Sequence, residues 1–214
     1  MRNTRVRTLC ECAMMVALAF ALSYAKIFEM PLGGSVTICS MLPIMLIGIK
    51  YGPVIGLGTG FVYSITQLLQ GLAAGNVFPY LYTWQAVVMC ILFDYILPFT
   101  IIGLAGVFGK KGIMPYVGMF VSAAARLLCH LVSGATIWTA WQDYMPEGFN
   151  NVWVYSISYN GSFLLPDFAI CLAAAIVLLN VPQMRKLVGL PPRGTKAAEQ
   201  PAGDAQRDSD DEDN

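Results

Sequence analysis

The chain has 214 residues, of which 57% are hydrophobic and only 12% charged, and its mean hydropathy is +0.61. That composition excludes an ordinary soluble domain, which needs more polar surface to stay dispersed. The net charge of zero arises only because seven of the thirteen acids (Glu199, Asp204, Asp208, Asp210, Asp211, Glu212 and Asp213) lie in the last sixteen residues, so the body before them is positive and sparsely ionisable. An integral membrane protein with a solvated acidic tail fits these numbers.

A bilayer core of about 30 Å needs roughly 20 helical residues. Apolar runs fall near 9–28, 37–50, 53–72, 85–108, 114–140 and 156–181, so six transmembrane helices are expected over a membrane domain spanning 1–190. The first run follows Arg2, Arg5 and Arg7 and carries Ala13, Ala17 and Ala21, a stripe of small residues suited to close packing against another helix. Its basic start and apolar run also fit a secretory signal. The second run is short and contains Pro43, which predicts a kinked or partly spanning helix. In the third, "GLGTGFVYSITQLLQG", the glycines lie on an apolar helix with no soluble strand before them, so they read as packing positions and not as a phosphate cradle.

Polar groups concentrate in the later runs. The fourth offers Asp94 and Tyr95, and the fifth places Arg126, His130, Gly134 and Trp138 at intervals of four, along one face. The start of the sixth offers Tyr155, Tyr159 and Asn160, with Asp167 beside Pro166 further on. Beyond Leu190, "PPRGTKAAEQPAGDAQRDSDDEDN" has no apolar periodicity and is expected to be a disordered cytoplasmic tail over 191–214.

Lysine and arginine set the orientation, because they gather in cytoplasmic connections. Arg2, Arg5 and Arg7, then Lys50, Lys110 with Lys111, and finally Arg185 with Lys186 mark the N-terminus, every even connection and the C-terminus. Both termini are therefore expected inside. All four tryptophans (Trp84, Trp138, Trp141 and Trp153) then map to the outer side, as an aromatic-lined pocket or an interfacial belt would place them.

Ionisable groups inside spanning helices face a partner or a wet cavity. A self-contained Asp94–Arg126 pair is one reading, with Asp167 in a packing or capping role. The other is a ligand site: a carboxylate, several aromatic faces and neutral hydrogen-bonders suit an aromatic cation. No hydrolase, zinc-protease or phosphate-loop motif is present, so an enzyme is not expected. Cys129 beside His130 does not make a metal set, and the six cysteines lack the spacing of a disulfide framework. Scattered single cations exclude a nucleic-acid surface. An ion-coupled carrier or intramembrane enzyme using Asp94, Arg126 and His130 as a relay stays open at this level, as does a purely structural bundle.

Four stretches taken together resemble the thiamine-specific substrate-binding S components (ThiT family) of energy-coupling-factor transporters. They are "PLGGSVTICSMLPIMLIGIKYGPVIGLGTGFVYSITQLLQG" (31–71), "FDYILPFTIIGLAGVF" (93–108), "RLLCHLVSGATIW" (126–138) and "NVWVYSISYNGSFLLPDF" (151–168). The resemblance implies an all-α, six-helix S-component fold in a prokaryotic cell membrane, with thiamine held near the outer face. It implies that Asp94 accepts from the aminopyrimidine and that Tyr95, His130, Trp138 and Tyr155 form aromatic walls. Gly134 would leave room for a ring, Asn160 would hydrogen-bond the ligand, and Arg126 would sit near the pocket. Ala13, Ala17 and Ala21 match the stripe that docks on a transmembrane T component, which works with two cytoplasmic ATPase subunits; no cofactor is implied. An S component for another vitamin or a pyrimidine precursor is the alternative within this class. Two departures stand out. Asp94 occupies a position where the family more often has Glu, and the first outer connection reads "MPLGGSVT" without the tryptophan some members place there, leaving Trp84 as a candidate cap.

Overall fold

Residues that cannot continue a helix set several of the boundaries. The computed structural model describes residues 2–30, 33–75, 81, 83–137 and 148–192. In chain order the elements are α1 (Arg2–Ser23), β1 (Lys26–Glu29), β2 (Ser35–Thr37), α2 (Leu42–Tyr51), α3 (Pro53–Ala74), α4 (Trp84–Gly106), α5 (Met114–Ile137), α6 (Val152–Asn180) and α7 (Pro182–Val188). Gly52, at φ +90°, and Pro53 turn the chain from α2 into α3, where only a residue without Cβ adopts the backbone at low cost.

Four helices among the described residues are long and apolar enough to cross a membrane: Thr4–Ser23 within α1, and α4, α5 and α6. The expected count of six spans is therefore met in part. α3 has the length, but its last turns carry Thr66, Gln67 and Gln70. α2 has ten residues, about 15 Å of helix, and is too short. The expected helix over 37–50 starts only at Leu42, and Pro43 lies in its first turn, where a missing N–H costs nothing, so it does not kink the helix. Every residue from Leu42 to Ile49 is buried, as expected for a helix hydrophobic on all sides. It forms the centre of the bundle, packed by α1, α3 and the last turn of α4.

The all-α expectation needs one correction. Lys26–Glu29 and Ser35–Thr37 form an antiparallel hairpin, with a bulge between Lys26 and Phe28. At the opposite end of the bundle the cations serve as structural ties. Lys50 Nζ lies 2.5 Å from Glu11 Oε2, Tyr51 donates to the same oxygen at 2.6 Å, and Lys110 donates to the Lys50 carbonyl at 2.7 Å. Arg185 donates to the carbonyls of Leu179 and Pro191. The tail expected to be disordered lies outside the described residues from 193 onward.

Glycines let the backbones of α2, α3 and α4 touch. A Cβ on Gly56 would fall on the carbonyl of Gly103, and one on Gly106 would fall on that of Gly48. With no hydrophobic effect between helices in lipid, such close contact supplies the packing energy. Gly58 faces open space. Gly103→Val should therefore lower the thermal midpoint of the detergent-purified protein, at a cost of about 1–3 kcal/mol or more from overpacking. Gly58→Ala should leave it unchanged or slightly higher, and equal loss in both variants would contradict the packing assignment.

Candidate ligand-binding cavity

Pro98 shapes the fourth helix where its polar residues lie. Proline has no N–H for the Asp94 carbonyl and its ring crowds that carbonyl, so a regular α-helix cannot run through. The chain widens into a π-turn over Ile91–Ile96, closed by Leu97 N–H donating to the Leu92 carbonyl, and tightens to a 3₁₀ turn over Ile102–Gly106. Asp94 and Tyr95 ride on that π-turn and meet different neighbours. Asp94 reaches α5, whereas the Tyr95 ring lies against Gly71 of α3, where a Cβ would strike it.

Asp94 Oδ1 is 3.0 Å from His130 Nδ1, and Oδ2 accepts from the Ser133 hydroxyl. A carboxylate has about four acceptor positions, so two remain. Its side chain is 27% exposed, which leaves those positions open to the adjoining cavity. With Nδ1 turned to the carboxylate, the neutral imidazole presents Nε2 as an acceptor. That atom is buried and has no hydrogen-bond partner among the described residues. Asn160 donates through Nδ2 to the His130 carbonyl at 3.3 Å and to the Ser156 carbonyl at 3.0 Å, which ties α6 to α5 behind the ring.

One turn deeper the arrangement differs from an Asp94–Arg126 pair. Arg126 NH1 faces Asp167 Oδ2 at 3.6 Å, and the guanidinium lies 4.6 Å above the Phe99 ring centre. The i+4 spacing explains this: His130 and Ser133 already occupy Asp94, while Arg126 sits a turn below, level with Phe99 and Asp167. Asp167 also caps the hairpin, accepting from Thr37 N–H at 2.9 Å and Thr37 Oγ1 at 2.8 Å.

These groups surround a cavity of about 160 Å³ whose wall includes Asp94, Tyr95, Arg126, His130, Gly134 and Asn160. Tyr159 and Phe163 complete the α6 side. Rings at Tyr155, Tyr159 and Phe163 follow at i+4, with centres 6.0 and 5.8 Å apart, and Phe163 meets His130 edge-on at 6.2 Å. Tyr155 is thus one rung outside the cavity wall, and Tyr159 stands on it. Gly134 lines the cavity, but the space it leaves is filled from α6: a Cβ there would collide with Ser156 Oγ. Trp84 is 72% exposed at the start of α4, capped by Thr83, and does not line the cavity. Trp153 is likewise exposed, so these two fit the interfacial belt. Trp138 and Trp141 lie outside the described residues. Ala13, Ala17 and Ala21 are all exposed on the flank of α1. Among the described residues no group of three His, Cys, Asp or Glu side chains could hold a metal ion.

Sequence reasoning missed Ser23, Gln67 and Gln70, which also line the cavity. Their signal was present: two glutamines three residues apart inside an otherwise apolar helix.

The profile of the family described as "Thiamine transporter protein" matches residues 9–186. The chain belongs to that family. Among its curated relatives, the thiamine transporter ThiT of Bacillus subtilis is 32% identical over 194 residues, covering 83% of this chain and 93% of the relative. ThiT of Lacticaseibacillus paracasei is 29% identical, covering 81% and 88%. The fold matches the solved structure of ThiT from Listeria monocytogenes with a TM-score of 0.67 at 24% identity, over 88% of this chain and all of that one. Family membership and four apolar spans make this a multi-pass protein of the bacterial cell membrane, a transporter and not an enzyme.

Removing one partner of a buried ion pair leaves the other charge uncompensated, at a cost of about 3–5 kcal/mol. Arg126→Met should therefore destabilise the protein severely in a thermal melt. Arg126→Met combined with Asp167→Asn, which removes both charges and keeps an acceptor for Thr37, should recover much of the loss. A double variant as unstable as the single one would argue against the pairing.

Proposed function

We propose that this transporter family member is an S component, which captures thiamine at the outer face for ATP-driven uptake. The observation that carries this reading is the convergence of a part-exposed Asp94 carboxylate and an unpartnered His130 Nε2 on one aromatic-walled cavity. Thiamine is an aromatic cation with an exocyclic amine. The amine's N–H groups suit the open acceptor positions of Asp94 and His130, and the rings suit Tyr95, Tyr159 and His130. Asn160 steadies the His130 segment, and Trp138 would extend the wall beyond the described residues. Support from outside the geometry comes from the curated relatives, which are named as thiamine transporters.

The same reading takes the membrane domain as a six-helix S-component bundle with both termini cytoplasmic. The cationic end with Lys50 and Lys110 would then face inward and the cavity outward. Energy would come from a T component and two ATPase subunits, since this sequence has no phosphate-binding loop. The exposed Ala13, Ala17 and Ala21 stripe offers a flat helix surface for the T component. A proton relay through Asp94, Arg126 and His130 gains no support, because Arg126 faces Asp167 and not Asp94.

Calorimetric titration of thiamine into the detergent-purified chain tests the site. Wild type should bind tightly. Asp94→Asn should weaken binding by about 2 kcal/mol, the scale of hydrogen bonds made to a charged group. His130→Ala should cost more than about 1 kcal/mol, whereas Trp84→Ala, outside the cavity, should stay within about 0.5 kcal/mol of wild type. Equal affinity for the pyrimidine moiety alone would redirect the assignment to a precursor transporter. No binding at all would remove the thiamine reading.

A further inference from the structure

The cavity has a second polar wall, built from α1 and α3, that the carboxylate–imidazole site does not use. Ser23 is buried at the end of α1, and Gln67 and Gln70 reach it from α3. Gln67 Nε2 donates to Ser23 Oγ at 3.2 Å, and Ser23 Oγ lies 2.9 Å from Gln70 Oε1 and 2.7 Å from the Phe20 carbonyl. All three side chains line the cavity beside Gly71, the residue against which the Tyr95 ring packs.

A primary amide has two donors and two acceptor positions. Ser23 meets only one group on each glutamine. The second Gln67 N–H, its carbonyl oxygen and both Gln70 N–H groups have no hydrogen-bond partner among the described residues. Both amides are half-buried at the cavity wall, so these donors and acceptors are available to whatever occupies the cavity. They are neutral, offering an acceptor on one residue and donors on the other. The nearby cation, Lys26, is engaged by Glu29 at 2.7 Å. That chemistry matches a hydroxyl, which donates once and accepts once, better than it matches an ion.

We propose that Ser23, Gln67 and Gln70 form a neutral hydrogen-bonding subsite that recognises the free hydroxyl of the ligand, opposite the Asp94–His130 pole. This rests on the thiamine reading: thiamine carries its amine on the pyrimidine ring and a hydroxyethyl group on the thiazolium ring, so its two polar ends would address the two walls. Ser23 is the positioning residue, since it orients both amides. Gln67 accepts from the hydroxyl and Gln70 donates to it.

The test is a calorimetric comparison of thiamine with its analogue bearing ethyl in place of hydroxyethyl. Wild type should prefer thiamine by about tenfold, the value of one well-made buried hydrogen bond. Gln67→Leu and Gln70→Leu should each erase most of that preference by weakening thiamine alone, while binding the ethyl analogue as wild type does, which also shows that they fold. Ser23→Ala, a one-atom deletion, should reduce the preference without abolishing it. Variants that weaken both ligands equally, or keep the tenfold preference, overturn the subsite. Wild type that binds both ligands alike overturns it too, and leaves the thiamine assignment standing. Wild type that binds neither ligand overturns both.

Discussion

Asp167 is a carboxylate in the middle of a membrane-spanning helix, and three elements are organised by how it is answered. A charged group at such depth costs at least about 2.5–3.5 kcal/mol on insertion scales. Thr37 supplies a backbone N–H and a hydroxyl, and Arg126 supplies the counter-charge. The result joins β2, α5 and α6 at one point beneath the cavity. Arg126 in turn lies over Phe99, so α4 is drawn into the same knot. Without Asp167 the hairpin would keep only its Tyr159 hydrogen bond and the packing of Val36 on α6, and the guanidinium on the cavity floor would lose its counter-ion.

Above that knot the geometry follows from a defect in α4. Pro98 forces a π-turn, and the extra residue per turn rotates Asp94 toward α5 and Tyr95 toward α3. A regular α-helix would put two adjacent residues about 100° apart on a narrower cylinder. The wider turn lets one short carboxylate reach both His130 and Ser133 across the interface. Aspartate is the shorter acid, and here its reach is completed by Ser133, one turn beyond the histidine.

Much of this was legible in the sequence because bilayer thickness and helical periodicity are simple constraints. Apolar runs marked most helices to within a few residues, and i+4 spacing put Arg126, His130 and Gly134 on one face. The exceptions are α2, which begins late, and α1, which starts at Arg2 and ends at Ser23 where the run 9–28 extends into β1. What was not legible depended on which of several equivalent partners each polar group takes. Nothing in spacing alone assigns Arg126 to Asp167 and not to Asp94; that choice is made by the depth at which α4, α5 and α6 cross. The hairpin was hidden because Lys26–Thr37 is short and weakly alternating, and its pairing is secured from outside by Asp167 and Tyr159. Tyr155 and Tyr159 could not be separated from sequence, since residues at i and i+4 share a face and only the position of the cavity along α6 distinguishes them.

The bundle is consequently built of two unlike halves. At the cationic end, glycines bring the backbones of α2, α3 and α4 into contact, and lysines and Arg185 bind carbonyls and Glu11. At the other end, large rings and long polar side chains hold the helices apart around a cavity. The same helices serve both purposes because their composition changes along their length: α3 runs from Gly56 and Gly60 to Gln67 and Gln70, and α4 from Asp94 and Tyr95 to Gly103 and Gly106. Antiparallel neighbours place glycine against glycine at one end and polar against aromatic at the other. The cavity at the open end is therefore lined largely by side chains and the tight end is built from backbone contacts, so the two ends rest on separate residues of the same helices.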